Sequence, residues 1–124
     1  MILFHRTRWD YAKNILVEGF RLGYKGRQES GAGIYTVTSL ADANRPYNKK
    51  HYGNTIVRIE VPDSLTWSRG TKVEFMRLTK QGIHGNRIYS TEGTNGEVAV
   101  LNQVDQMVSL EISRDNGKTW LSHL

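Results

Sequence analysis

Three short apolar runs, far apart in the chain, each carry one side chain able to do chemistry. The runs are residues 3–7, 31–35 and 96–101. The chemical groups are the imidazole of His5, the phenol ring of Tyr35 and the carboxylate of Glu97. An imidazole can hold a ligand by hydrogen bonds, and an aromatic ring can stack on a flat ligand. A carboxylate can stabilise the positive charge that forms on a sugar ring when a glycosidic bond breaks. We therefore predict that the three side chains converge on one pocket.

Other catalytic chemistries find little support in the sequence. The chain has no cysteine, which excludes disulfides, thiol catalysis and thiolate metal sites. Its four histidines lack the spacing of metal ligands, so no metal site is expected. Neither a Gly-x-Ser-x-Gly turn nor a phosphate-binding P-loop is present. The glycines at 31–33 lack the third glycine and the strand–helix context of a dinucleotide fingerprint.

The size and composition of the chain are those of one globular domain. With 124 residues, 38% of them hydrophobic and 23% charged, we expect a single domain over residues 1–124. No apolar run approaches the roughly 20 residues of a membrane span, and residues 1–5 lack the pattern of a signal peptide. A cytoplasmic protein, or one acting in a host cytoplasm, is expected. The net charge of +5 favours anionic partners such as dinucleotides and nucleic acids.

Alternating hydrophobicity predicts several short strands. The clearest covers residues 55–61, where Val57, Ile59 and Val61 alternate with Arg58 and Glu60. The other predicted strands are residues 2–5, 34–37, 87–90, 97–101 and 108–112. Turns are expected at residues 62–64 and 92–96.

Helical signals are shorter. Asp10 is expected to cap a first helix, which Gly19 ends. Thr38 or Ser39 is expected to cap a second helix, and Pro46 is expected to stop it. Because strands and helices do not alternate regularly, the pattern predicts an α+β fold with five to seven short strands and two or three short helices.

Four further segments have their own signals. Residues 23–33 are rich in glycine and polar residues, which predicts a loop that covers a ligand. Residues 47–52 mix aromatic and basic side chains and are expected to form an exposed loop, with contact to a nucleic acid or to the phosphates of a dinucleotide as the alternative. Residues 72–81 are expected to form a helix, although a strand over 73–78 is also compatible with the pattern. Residues 113–120 match the Asp-box pattern S-x-D-x-G-x-T-W, which predicts a β-hairpin that closes the domain.

The ordered set of motifs resembles the His-Tyr-Glu branch of the ADP-ribosyltransferase family, which includes diphtheria-toxin-like enzymes and poly(ADP-ribose) polymerases. The small single-domain members from bacteria and phages are the most similar. The resemblance covers residues 3–112, and its motifs are His5-Arg6-Thr7, Gly19-Phe20, the Gly-x-Gly-Ile-Tyr run at 31–35, Thr38-Ser39 and the Glu-Val-Ala-Val run at 97–100. It implies two small, mostly antiparallel sheets packed around a cleft for NAD.

The resemblance also implies a reaction and a role for each residue. A mono-ADP-ribosyltransferase uses NAD as substrate, breaks its nicotinamide–ribose bond and transfers ADP-ribose to a protein or nucleic-acid acceptor. Glu97 would bond the nicotinamide ribose and stabilise its developing charge, His5 would bond the adenosine ribose, and Tyr35 would stack on nicotinamide. The other residues implied to bind NAD are Arg6 and Thr7, Gly33, Thr38 or Ser39, and Tyr47. Neither a metal nor a membrane is implied.

Arg6 stands where the family carries a glycine, so only its backbone would contact NAD and its side chain must point away. This departure and the basic charge favour an alternative, a non-catalytic module of the same fold that binds a nucleotide, a protein or a nucleic acid. A related RNA 2′-phosphotransferase, which also consumes NAD, relies on several pocket arginines. Arg6, Arg8 and Arg45 are the obvious early candidates in this chain, so that family matches less well.

Overall fold

Strands dominate the described part of the chain, and helices pack around them, so the α+β class is confirmed. A computed structural model describes residues 1–21, 33–74, 77 and 86–124. The elements in these ranges are β1 Ile2–Thr7, α1 Trp9–Glu18, β2 Ile34–Val37, α2 Leu40–Ala43, α3 Pro46–Tyr52, β3 Thr55–Glu60, β4 Trp67–Thr71, β5 Asn86–Thr91, β6 Gly96–Leu101 and β7 Ser109–Ser113. The predicted loop at 23–33 lies outside the described residues except for Gly33.

All seven strands belong to one sheet in the order β4-β5-β6-β2-β1-β3-β7, which corrects the expectation of two separate sheets. Every neighbouring pair is antiparallel except β4 and β5. The two halves of the sheet are joined weakly, because β1 and β2 share a single register pair, Phe4 with Val37. By contrast, β1 and β3 share six such pairs. The sheet therefore has a seam between β1 and β2.

The main core lies on the face of the sheet that α1 covers. Strand alternation brings Leu3, Ile59 and Leu101 to this face, where they are fully buried together with Ala12 of α1. Gly19 ends α1 as predicted, with φ of 81° and its N–H donating to the carbonyl of Ile15 at 2.8 Å.

The start of α1 differs from the prediction. The helix begins at Trp9, so Asp10 lies in its first turn rather than at the cap. The capping position is held by Arg8, whose side chain makes no capping hydrogen bond. Asp10 instead pairs with Arg8 at 3.4 Å, and a carboxylate in the first turn still stabilises the helix through its dipole.

Of the two residues expected to cap helix α2, Thr38 and Ser39, the structure has Ser39. Ser39 is the cap, and its hydroxyl accepts a hydrogen bond from the backbone N–H of Asp42 at 3.0 Å. Pro46 lies beyond the end of α2, but it is also the first residue of α3, so the predicted loop at 47–52 is wrong. Proline suits this position because its fixed φ is helical and the first N–H of a helix has no partner to lose.

The segment from residue 67 to residue 77 was only partly foreseen. Strand β4 was missed because Trp67-Ser-Arg-Gly-Thr71 does not alternate clearly between apolar and polar residues. Residues 72–74 and 77 are helical, in agreement with the helix predicted over residues 72–81. The rest of that predicted helix lies outside the described residues.

The Asp-box forms the expected closing turn. The Ser113 hydroxyl donates to Asp115 at 2.7 Å and accepts from the Gly117 N–H at 2.8 Å. Asp115 also accepts hydrogen bonds from the hydroxyl and the N–H of Thr119, and these bonds hold the pKa of the Asp115 carboxyl below its ordinary value. Trp120 packs against Phe4 beneath the turn, with ring centroids 6.2 Å apart.

Candidate functional site

A large cavity opens where the two halves of the sheet separate. Its volume is about 960 Å³, at the upper end of the roughly 300–1,000 Å³ typical of ligand sites. Beyond the Phe4–Val37 pair, the end of β1 and the start of β2 both line it. The lining residues that the sequence predicted to bind NAD are His5, Arg6, Thr7, Gly33, Tyr35 and Tyr47. The structure therefore brings most of the predicted site to one place.

His5 connects the two sides of the seam. Its Nδ1 lies 2.7 Å from the backbone carbonyl oxygen of Tyr35. Because a carbonyl oxygen can only accept, Nδ1 must carry the proton, and in the neutral ring Nε2 is then an acceptor. The ring packs edge-on against Phe20 at a centroid distance of 5.2 Å. Burial lowers the pKa of His5, and the bond to Tyr35 offsets part of this effect. His5 thus offers a ligand in the cavity a neutral acceptor nitrogen.

The lowered pKa of His5 predicts a pH dependence of folding stability. In the unfolded chain His5 takes up a proton as the pH falls below about 6.5, while the folded chain takes it up only at lower pH. Between the pKa of His5 in the unfolded chain and its lower pKa in the folded chain, the unfolded state binds more protons. The free energy of unfolding should therefore decrease by up to about 1.4 kcal/mol for each pH unit by which the pH falls through this range. Above pH 6.5 His5 should make no pH-dependent contribution. Urea unfolding across pH 5–8 measures this slope.

Two substitutions isolate the contribution of His5. The His5→Gln variant should lose this part of the slope, whereas His123→Gln, at an exposed position near the C-terminus, should keep it. Equal slopes for the wild type and His5→Gln would contradict the prediction.

Tyr35 is held on the opposite face of the sheet from the main core. It pairs with Val100 of β6 and packs with Val98, Val100 and Tyr89. Gly33 makes this approach possible, because a Cβ added there would lie 2.6 Å from Cγ1 of Val100, and its φ of 154° disfavours other residues. Tyr35 is half-buried and lines the cavity, where an aromatic ring can stack on a flat ligand.

Glu97 is anchored at the start of β6 by polar contacts. Its Oε1 accepts a hydrogen bond from the Thr38 hydroxyl at 3.1 Å, and its Oε2 lies 2.5 Å from a guanidinium nitrogen of Arg69. Its backbone N–H donates to Asp42 at 3.3 Å. The neighbouring Gly96 has φ of 82°, and a Cβ there would collide with the Asp42 carboxylate. The local backbone therefore fixes where the Glu97 carboxylate lies.

The three predicted catalytic residues do not form one contact cluster. His5 and Tyr35 both line the cavity, with their side chains on opposite faces of the sheet, whereas Glu97 does not line it. The registers place His5 and Glu97 on the same face with β2 between their strands. Two strand spacings amount to about 10 Å, and an offset of two residues along the strands makes the separation larger still. This separation suits a long ligand with two sugar rings better than a pair of side chains acting on one atom.

Two other predicted NAD contacts have structural roles of their own. The Ser39 hydroxyl caps α2 and does not line the cavity, whereas Thr38 contacts Glu97 directly. Of Thr38 and Ser39, Thr38 is the better placed to act together with Glu97. All three guanidinium nitrogens of Arg6 donate to protein acceptors, which leaves its backbone for a ligand.

Sequence reasoning missed the residues that hold Glu97. Arg69 lies on β4, the strand without a clear pattern, and Asp42 sits inside a short helix. Neither carries a local signal, because both reach Glu97 only through the fold. Asn48 is buried, lines the cavity and donates a hydrogen bond to the carbonyl of Asp42 at 2.6 Å. The prediction of a loop at residues 47–52 concealed it. A helical interpretation of that segment could have found it.

Comparison of the sequence with protein-family models and with curated proteins finds no match. The function is therefore argued from the residues and their geometry. Within the described ranges, no three His, Asp or Glu side chains gather closely enough to hold a metal ion. The helices that the structure describes are too short or too polar to cross a membrane.

Proposed function

We propose that this protein is an NAD-dependent mono-ADP-ribosyltransferase that transfers ADP-ribose to a macromolecular acceptor. One observation carries the proposal. The ring nitrogen Nδ1 of His5 lies 2.7 Å from the backbone carbonyl oxygen of Tyr35, 30 residues further along the chain, and both residues line a cavity of about 960 Å³. The order and type of the residues at this seam are those of the family that the sequence resembles. Because the reaction consumes NAD, we place it in a cytoplasm, that of the producing cell or of a host.

The proposed reaction breaks the bond between the nicotinamide nitrogen and C1′ of the ribose. The electron pair leaves with nicotinamide, and the ribose ring acquires positive charge. The Glu97 carboxylate stabilises this charge by about 4 kcal/mol at a separation of ~4 Å and an effective dielectric constant of ~20. The acceptor's oxygen or nitrogen then bonds to C1′ and gives its proton to Glu97 or to solvent.

The other residues bind and orient the dinucleotide. Nε2 of the neutral His5 accepts a hydrogen bond from an adenosine ribose hydroxyl. Tyr35 stacks on nicotinamide, an arrangement worth about 0.5–1.5 kcal/mol beyond area burial, and Tyr47 provides a second aromatic surface. The ion pair of Glu97 with Arg69, whose side chain is 70% exposed, is worth at most about 1 kcal/mol. A ribose hydroxyl can therefore replace Arg69 at Glu97 at little cost.

Titration calorimetry with NAD, followed by chromatographic detection of released nicotinamide, tests the proposal. We expect the wild type to bind NAD and to release nicotinamide. The His5→Ala variant should bind NAD at least about tenfold more weakly, because it loses a hydrogen bond worth about 0.5–1.5 kcal/mol and ring packing in the cavity. His123→Ala is the matched control and should bind as the wild type does. Failure of the wild type to bind millimolar NAD would contradict the proposal.

A second candidate is a binding module on the same scaffold without catalysis. The contact between Arg69 and Glu97 favours it, because it neutralises the carboxylate that the reaction needs. This candidate predicts NAD binding without release of nicotinamide or transfer of label from NAD to cell lysate.

A further inference from the structure

A second cavity of about 540 Å³ lies beside the first, and its charge is strongly positive. Its charged lining residues are Arg6, Arg8, Lys49 and Arg114, with Asp10 as the single acid. We call this cavity the basic pocket. Four cations facing one carboxylate create a field that attracts anions.

Most of this charge is available to a ligand. Arg6 is occupied by protein acceptors, but the ion pair of Arg8 with Asp10 at 3.4 Å is exposed and worth little. The Arg114 guanidinium packs 4.1 Å from the centre of the Trp9 ring. This contact holds Arg114 in the basic pocket without neutralising it.

The basic pocket adjoins the large cavity. Arg6 lines both cavities. On α3, Tyr47 lines the large cavity and Lys49 lines the basic pocket. The guanidinium of Arg8 lies 5.2 Å from the ring centre of Tyr11, a second residue of the large cavity.

Exposed aromatic rings accompany these cations. Tyr11, Tyr47 and Tyr52 line the large cavity and are 56%, 40% and 44% exposed. Tyr47 packs against His51 and Tyr52, with ring centroids 4.2 and 6.3 Å apart, so the rings form a partly exposed aromatic cluster on which a flat base can stack. Basic and aromatic side chains thus form one surface from the basic pocket to the entrance of the large cavity.

We propose that this surface binds single-stranded nucleic acid and that the bound strand is the ADP-ribose acceptor. The identity of the acceptor rests on the proposed function, whereas binding does not. Phosphates account for the basic pocket, and exposed bases account for the tyrosines, since stacking on an aromatic side chain contributes about 1–3 kcal/mol per base. A duplex fits this surface less well because its bases are stacked inside the helix. An acidic protein supplies negative charge but no flat base at every residue to stack on the tyrosines. In the transfer step, a base nitrogen bonds to C1′ of the ribose, nicotinamide leaves with the electron pair, and the nitrogen's proton passes to Glu97 or solvent.

Fluorescence anisotropy with labelled 20-nucleotide oligo-dT and oligo-U tests the binding surface. We expect the wild-type protein to bind the single strands more tightly than a duplex of equal length, with an affinity that falls between 50 and 200 mM salt. Lys49→Glu and Arg114→Glu should each weaken binding at least about fivefold. Arg77→Glu is the matched charge change, because Arg77 is exposed and lines neither cavity. It should weaken binding less than about twofold.

Several outcomes would overturn the inference. They are the absence of binding, tighter binding of the duplex, equal effects of Arg77→Glu and Lys49→Glu, and equally effective competition by polyglutamate, which would indicate an acidic protein partner. Calorimetry with NAD on Lys49→Glu keeps the two proposals apart, because this variant should bind NAD as the wild type does. Oligonucleotide binding without NAD cleavage would retain the surface and reject the transferase function.

Discussion

Replacing Glu97 with glutamine should reduce the rate of nicotinamide release from NAD by about 10²–10³-fold and leave the fold intact. The charge that Glu97 contributes is worth about 4 kcal/mol to the transition state, and each 1.4 kcal/mol corresponds to about tenfold in rate. A glutamine keeps the size of the side chain and an oxygen for the Thr38 hydroxyl. It loses the exposed pair with Arg69, which costs at most about 1 kcal/mol of stability. Nicotinamide release and urea unfolding should be measured on the same preparation.

Glu111→Gln is the matched control for this prediction. Like Glu97, Glu111 lies on a strand, is about one-third exposed and pairs with an arginine, in this case Arg58 at 2.7 Å. The same chemical change at Glu111 should alter stability to a similar extent and leave the reaction rate unchanged. A Glu97→Gln variant that released nicotinamide at the wild-type rate would remove Glu97 from the mechanism.

The elements with a clear period could be predicted from the sequence, and those without one could not. The alternation along β3 predicted a strand at 55–61, and the structure has one at Thr55–Glu60. Strand β4 has no such period and acquires its place by pairing in parallel with β5, a contact between distant segments. Pro46 illustrates the same limit, because proline both disfavours the helix before it and favours the helix that it begins.

The sequence led to candidate residues for the site but did not show how they are arranged. Residue type and order indicated His5, Tyr35 and Glu97, yet the joining of the two half-sheets by one register pair could not be read from the sequence. That single pair decides that the end of β1 diverges from β2 and leaves a cavity between them. The partners of Glu97 were likewise hidden, because Thr38, Arg69 and Asp42 reach it from three separate elements or connections.

Arg6, the residue after His5, has a structural role of its own. Its side chain leaves β1 on the face opposite His5 and joins four segments of the chain. Nε donates to the carbonyl of Ala43 at 2.6 Å, and the remaining nitrogens reach Gly53 at 2.9 Å and the side chains of Asn44 at 2.7 Å and Asn116 at 3.0 Å. Asn116 belongs to the Asp-box turn and has a positive φ of 62°. The Asp-box therefore supports the strand that carries His5.

Replacing Arg6 with alanine should lower the free energy of unfolding by about 3 kcal/mol or more. The side chain is 7% exposed, and its removal leaves four acceptors without their partner, each of which costs about 1–3 kcal/mol when buried and less when water reaches it. Arg6→Lys keeps the charge but cannot reach four acceptors from one ammonium group, so it should lose part of this stability. Urea unfolding followed by tryptophan fluorescence measures both variants.

Arg8→Ala is the control for Arg6→Ala, since Arg8 lies two residues further along, is 64% exposed and makes a weak ion pair with Asp10 and a contact with the exposed Tyr11 ring. It should change the free energy of unfolding by less than about 0.5 kcal/mol. A similarly small effect for Arg6→Ala would contradict the role of Arg6 as the connection between β1, the α2–α3 segment and the Asp-box. If the large effect is observed, weakened NAD binding in Arg6→Ala follows from displacement of β1 and His5, because four of the five guanidinium N–H donors of Arg6 are bound to protein acceptors.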